Sequence, residues 1–367
     1  GTLLSAQEVR YIGFHSSGVA IKEIIATYAS ADTSLAPTEV KVIQNSNISS
    51  SGNVGTTTIT RYASASIAGA GRDGDITVSG EIDRQTINTS AFDESGNALS
   101  QTILKEYWAK DPADNTNKFL FSESQIVTNI AFDIHGRTLH STVENYSDAA
   151  RTIFTDKQEI FTSSYDRFGN ALAQTVDTYS TKAMGSGDLV NHKTITNSYS
   201  DVVSERKGNA HIVTIDKYTD LAGTNKVEET VTTTTLFDSL GNAVDQTQET
   251  SKIDPATSTL KLANRSIIHN SALDNRGDAS SQTIKNYEIN FVSGSEVDTL
   301  VSYQVMTNRV HDAQHNVINQ NILEYDDVAG TLLSAQEVRY IGFHSSGVAI
   351  KEIIATYTSA DTSLAHT

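Results

Sequence analysis

Seven aspartates form the most regular set of chemistry-bearing side chains in this sequence. Asp93, Asp133, Asp166, Asp201, Asp238, Asp274 and Asp312 recur along the chain, each ahead of a glycine or, once, of His315. Set in one row by a repeating fold, such carboxylates would offer hard oxygen ligands of the kind calcium takes. One carboxylate per repeat supplies few oxygens, however, and Asp-x-x-Gly has a sufficient local use. Its carboxylate accepts hydrogen bonds from amides two residues on, and its glycine closes the turn. The expectation is therefore no cofactor and no metal. Calcium is the one ion for which Asp93, Asp133, Asp166, Asp238 and Asp274 are candidates.

Other constellations carry less. His311 and His315 flank one turn and His135 and His140 lie near another, without further ligands at metal-site spacing. Gly69-Ala70-Gly71-Arg72-Asp73-Gly74 is glycine-rich but lacks the lysine and the following helix of a phosphate loop. The chain has no cysteine, which excludes disulfides, thiolate metal sites and a cysteine nucleophile. No Ser-His-Asp set stands out. Residues that recur at every period are structural by default, and no local break in the period assembles an acid, a base and a nucleophile. The expectation is a protein that is not an enzyme.

The elements that position these residues follow from a repeat. Residues 1–36 return at 330–365 with one change, Ala29 against Thr358. The offset of 329 implies a large unit over 1–329 and the start of the next over 330–367. Opening on Gly1-Thr2-Leu3, the chain reads as a processed or excised piece of a longer protein. Inside the unit a shorter repeat is anchored on Gly18, Gly52, Gly96, Gly136, Gly169, Gly208, Gly241, Gly277, His315 and Gly347, at spacings from 32 to 44. Ten residues after the anchor, or eleven in one copy, stands Tyr28, Tyr62, Tyr107, Tyr146, Tyr179, Tyr218, Tyr287, Tyr325 or Tyr357. Nine of the fourteen tyrosines thus share one slot, which chance does not produce.

Around each anchor the periodicity is two. Ala or Val at +2, often Thr at +6 and Tyr at +10 fall on one face, while Leu or Ile at +3, Gln at +5 and Ile or Val at +7 fall on the other. All three prolines, Pro37, Pro112 and Pro255, lie in the connections that follow the tyrosines, where no ladder amide is needed. Val202–Lys207 reads as an insertion that lengthens one hairpin tip. The predicted fold is all-β: tandem antiparallel hairpins of about 20 strands, curling into a tube, spiral or hollow shell with the tyrosines as a ladder. A β-propeller, whose blades have a similar length, is the alternative.

Tyr165-Asp166-Arg167-Phe168-Gly169 and Phe132-Asp133-Ile134-His135-Gly136-Arg137 resemble the Tyr-Asp-x-x-Gly-Arg signature of YD-repeat proteins of the Rhs and teneurin-like type. That resemblance implies hairpins wound into large hollow shells on secreted or surface-anchored chains. The sequence departs from the family in its longer period, in keeping only Arg137 after the glycine, and in lacking an autoproteolytic terminal segment. The transferable part is the hairpin architecture.

Composition bounds the function. A formal charge of −17 argues against nucleic acid as partner, and no run of 18 apolar residues is present to make a transmembrane helix. The first expectation is a structural segment of a long extracellular or cell-surface repeat protein forming a filament, sheath or tube, whose partners are further copies of the repeat. The second is an adhesin-type stalk recognising carbohydrate or another cell, for which Trp108 and Phe291 are the aromatics best placed. The third is a YD-type encapsulating shell.

Overall fold

The computed structural model describes residues 6–28, 37, 39–66, 76–111, 113–238, 240–274, 277–292, 294–312, 315–326, 330–343 and 349–357. Gly347 and the Gly69–Gly74 segment lie outside the described residues.

Strand formers alternating with polar residues give strands wherever the two-residue period runs, and Asp-x-x-Gly at Asp93, Asp133, Asp166, Asp238 and Asp274 ends the strand before it. The first eight strands are β1 (Ala6–Phe14), β2 (Ala20–Tyr28), β3 (Glu39–Ile48), β4 (Val54–Ser66), β5 (Thr77–Phe92), β6 (Ala98–Lys110), β7 (Asn117–Phe132) and β8 (Thr138–Tyr146). Then come β9 (Phe154–Tyr165), β10 (Ala171–Tyr179) and β11 (Leu189–Ser198). A short helix, α1 (Val202–Lys207), precedes β12 (Ile212–Tyr218), β13 (Lys226–Phe237) and β14 (Ala243–Asp254). The last six are β15 (Thr259–Leu273), β16 (Ala279–Val292), β17 (Ser295–His311), β18 (Val317–Tyr325), β19 (Leu332–Phe343) and β20 (Ala349–Tyr357).

All twenty strands belong to one sheet. Consecutive strands pair antiparallel from β1 to β8 and from β10 to β20. The sheet is open: among the described residues β1 pairs only with β2, and β20 only with β19. The propeller alternative is thereby corrected. Blades are separate small sheets, whereas here the ladder of hydrogen bonds passes from hairpin to hairpin because the connections are too short to release a strand from its neighbour.

Among the described residues, every anchor turn joins an odd-numbered strand to the next even-numbered one, and the slot tyrosine closes the even strand in β2, β8, β10, β12, β18 and β20. Variation in repeat length is absorbed beyond the tyrosine. There the strands simply continue, pairing Ser66 with Thr77, Lys110 with Asn117, Asp254 with Thr259 and Val292 with Ser295. The insertion at 202–207 is the exception, and it is helical, which the two-residue pattern did not lead one to expect. Asp201 caps it by accepting from the amides of Val203 and Ser204, and Gly208 ends it in the left-handed conformation.

By contacts the chain divides into two compact units. The first comprises 1–160 with 180–184, and the second 161–179 with 185–367. In the first, Ile24, Ala26, Tyr28, Val40, Val42 and Ile76 form a buried cluster, with Ala6, Ile12, Tyr62, Ala65 and Val78 packed against it. In the second, Tyr179, Ala279, Ile289, Met306, Ala335, Val338 and Tyr357 are buried. Within each unit a strand packs mainly on the strands before and after it in sequence. Cohesion therefore comes from cross-strand pairs between neighbours rather than from a second layer.

Candidate functional site

The recurring turns are the first place to look for chemistry. In the β5–β6 turn, the Asp93 amide donates to the Asn97 carbonyl at 2.9 Å and the Gly96 amide to the Asp93 carbonyl at 3.1 Å. The Asp93 carboxylate accepts from the amides of Ser95 and Asn97 at 2.9 and 2.8 Å, and from the Asn97 side-chain amide at 2.8 Å. The same three bonds hold Asp166 to Phe168 and Asn170, and Asp238 to Leu240 and Asn242. Asp133 uses Arg137 where the others use asparagine. Asp312 is clamped by Asn316 through its amide and side chain, and Asp274 accepts from the Asp278 amide.

These carboxylates are thus committed to their own turns. Among the described residues no group of three or more His, Asp or Glu is arranged to hold a metal ion. The sequence reading placed aspartate correctly in the turn but missed the asparagine that clamps it from the position after the anchor.

That asparagine also reaches the next repeat. A β-carbon at Gly136 would lie 2.7 Å from Asn97 Oδ1, and one at Gly277 only 2.5 Å from Asn242 Oδ1. Gly96 and Gly208 meet Asn53 and Asn170 in the same way, each at 3.2 Å. Glycine here serves both a positive φ and a close approach. His315, the one anchor that is not glycine, keeps the positive φ at 69°. It replaces the close approach with a hydrogen bond from its ring to Asp278, at 2.7 Å, the residue that stands where other repeats have asparagine.

A second row crosses the strands. Gln101 donates to Thr89, Gln174 to Thr162 and Gln246 to Thr234 through their side chains, at 3.1 to 3.2 Å. Gln282 donates to Asn270 at 2.7 Å. In each case the glutamine stands five after the anchor and its partner seven before. Asparagines on the odd strands then tie one hairpin to the one before: Asn45 to the Ala20 carbonyl, Asn129 to that of Ala98, Asn197 to that of Ala171 and Asn270 to that of Ala243.

The tyrosines of the recurring slot sit on alternate strands, whose backbones are about 9.6 Å apart. A residue of the preceding strand stands opposite six of them: Val40 for Tyr62, Asp83 for Tyr107, Ser124 for Tyr146, His192 for Tyr218, Arg265 for Tyr287 and Tyr303 for Tyr325. Tyr28, Tyr146, Tyr179 and Tyr357 are buried, and Tyr62, Tyr107, Tyr218, Tyr287 and Tyr325 half-buried.

Charged partners share this face. Two residues before the tyrosine slot, Glu144 meets Lys157 and Lys182, Asp216 meets Lys226, and Glu249 meets Arg265. Asp177 and His192 form the corresponding pair in buried form, the ring edge-on to Tyr218 at 5.3 Å. This is the arrangement closest to acid–base chemistry. The His192 ring also lies beside the backbone at Gly223, where a β-carbon would stand 3.6 Å from its Nε2. Of the two aromatics singled out by the sequence, Trp108 packs edge-on against Phe119 at 4.9 Å, and Phe291 is 40% exposed beneath Lys261.

The turns make stability depend on pH in a defined direction. Asp114, held by Thr116 and Lys118, has its carboxyl lowered to about 2. Asp254, held by Lys261 and by the Ala256 amide, is also lowered to about 2. Asp93 is lowered chiefly by the Asn97 side chain. A depressed carboxylate stabilises the fold above its unfolded value, near 3.9, and that contribution disappears as pH falls through the folded value. Thermal midpoints are expected to hold down to about pH 5 and to fall between about pH 4 and 2, with the hairpin ends fraying first by NMR. An unchanged midpoint at pH 2 would count against the turn caps.

At the alkaline end, burial raises Tyr28, Tyr62, Tyr107, Tyr146 and Tyr357. Their stabilisation is complete below about pH 10 and lost as pH rises beyond it. Ultraviolet titration of these five tyrosines is expected to coincide with unfolding rather than to precede it.

No family model matches the chain, and no match was found among curated proteins. Among solved structures similar to it is the crystal structure of TcdB2-TccC3-Cdc42, at 12% identity and a TM-score of 0.18. The match covers 98% of this chain and 21% of that one. A TM-score so low does not establish a common fold.

Proposed function

We propose that this chain is a structural segment of a long extracellular or cell-surface repeat protein that forms a filament, sheath or tube. One observation carries the reading. The sequence of the first hairpin returns after 329 residues and folds again as the same hairpin in the same register. Ala6 opposite Tyr28 becomes Ala335 opposite Tyr357, and Phe14 opposite Ala20 becomes Phe343 opposite Ala349. A large unit that restarts in register can be continued without a new kind of contact.

The chemistry of the recurring residues agrees. Aspartate, asparagine, glutamine and glycine in the repeated slots are used to bind one hairpin to itself and to the next. The proposed curling of the sheet follows from the twist that so many strands accumulate. The adhesin reading draws less support, since Trp108 packs on Phe119 instead of standing out from a loop.

Electron microscopy of the native material tests the proposal. Elongated bodies, lengthening in steps with the number of 329-residue units, are expected. Proteolytic shaving of intact producing cells should release peptides of this chain. Compact separate particles without an axial repeat would overturn the filament, and protection from shaving would overturn the surface location.

A further inference from the structure

Two strands of identical sequence in this chain differ in what lies beside them. β2 and β20 both read Ala-Ile-Lys-Glu-Ile-Ile-Ala-Thr-Tyr. β2 runs between β1 and β3, whereas β20 pairs with β19 alone among the described residues. In β2, Ile24 and Ala26 are 0% exposed. The equivalent of Ile24 in β20, Ile353, is 43% exposed, and Ile354 beside it 53%. Sequence and hairpin register are the same, so the difference in burial is the contribution of β3 and what packs with it.

The opposite edge has a counterpart. Val9 of β1 is 39% exposed, while Val338, its equivalent in β19 with β18 alongside, is 2% exposed. Tyr340 accepts a hydrogen bond from the Gln320 side chain of β18 at 3.1 Å, and its equivalent Tyr11 is 55% exposed. Arg10 runs the other way, buried beside Glu8 where Arg339 is exposed, so the cleaner case is β20.

We propose that the outer edge of β20 is a strand-acceptor site whose ligand is a strand with the sequence of β3, Glu39–Ile48. The inference deepens the filament reading and rests on it, by naming the segment of the following unit that makes the junction and its register. β2 supplies that register: Lys22 opposite Gln44, Ile24 opposite Val42, Ala26 opposite Val40 and Thr27 opposite Glu39. On β20 the same strand sets its two valines against Ile353 and Ala355, at Lys351 a glutamine, and at Thr356 a glutamate. The bond from Asn45 Nδ2 to the Ala20 carbonyl, 3.0 Å in the first hairpin pair, is remade on the carbonyl of Ala349. Main-chain hydrogen bonds give such a junction its affinity, and the alternate valines its specificity.

The test appends the sequence of residues 39–66 directly after Thr367, which corresponds to Thr38 in the 329-residue offset. Amide hydrogen exchange over β20 is compared in the chain with and without the extension. Exchange at the outward-facing amides is expected to slow by at least about tenfold. A second extension carries aspartate at the positions matching Val40 and Val42, and is expected to leave exchange as it is in the parent chain. No slowing with the first extension, or equal slowing with both, would overturn the proposal. The filament reading fails separately: compact particles under the microscope sink it even where β20 is protected, and elongated bodies with unprotected β20 sink only the junction.

Discussion

Tyr28→Ala should destabilise the first hairpins by about 3–5 kcal/mol, the range for removing a fully buried aromatic side chain. Tyr28 is 1% exposed, and it belongs to the cluster of Ile24, Ala26, Val40, Val42 and Ile76. Its hydroxyl also donates to Glu8 Oε2 at 3.3 Å. Tyr28→Phe keeps the ring and loses only that bond, so it should cost about 0.5–1.5 kcal/mol. The two variants therefore separate packing from hydrogen bonding at one position. Because strands pack on their sequence neighbours, the loss should be local. Hydrogen exchange should accelerate in β1 to β4 and stay unchanged in β16 to β18. Uniform acceleration along the chain would mean that the repeats unfold as one cooperative body, contrary to the contact pattern described above.

The second large effect separates two turns that look alike in sequence. Gly136 and Gly169 both sit at positive φ, 76° and 93°. An added β-carbon at Gly169 meets nothing within 4 Å, whereas at Gly136 it would stand 2.7 Å from Asn97 Oδ1. Gly169→Ala should cost about 1–2 kcal/mol, from the left-handed backbone alone. Gly136→Ala should cost roughly 1–2 kcal/mol more, because Asn97 must leave either the contact or its bond to Asp93. Combining Gly136→Ala with Asn97→Ala should recover that excess in a double-mutant cycle on denaturant unfolding. Equal costs at the two glycines would show that the asparagine gives way freely, and the turn-to-turn contact would then have no energetic weight.

How much of this was legible in the residues depends on the kind of signal. The turn and the strand following it were readable, because glycine and tyrosine are uncommon enough for their spacing to be informative. The strand order followed from the shortness of the connections. What escaped is the pairing between slots. Gln101, Gln174, Gln246 and Gln282 were visible as a slot, but their partners are threonine three times and asparagine once, two acceptors that look unrelated in sequence and equivalent in space. The clamp by Asn97, Asn170 and Asn242 was hidden for another reason. Asparagine beside glycine is ordinary turn chemistry, and nothing local says that its oxygen faces the glycine of the next repeat. The α1 helix was missed because six residues are too few for a helical period to declare itself. The tyrosine slots were legible, but the residues that stand opposite them on the intervening strands were not, because counting slots omits those strands.

Within each compact unit, the pairing of a strand with its immediate predecessor has a mechanical meaning. Tension applied to the two ends of such a chain does not shear many ladders in parallel. It peels the outermost strand, one hydrogen-bonded rung after another, before the next strand feels the load. Each hairpin of some 32 to 44 residues then releases on the order of 100–150 Å of slack, at about 3.3–3.6 Å per residue. A body built this way lengthens by a sequence of small surrenders in place of a single rupture, and on slackening its hairpins can re-form from their own turns.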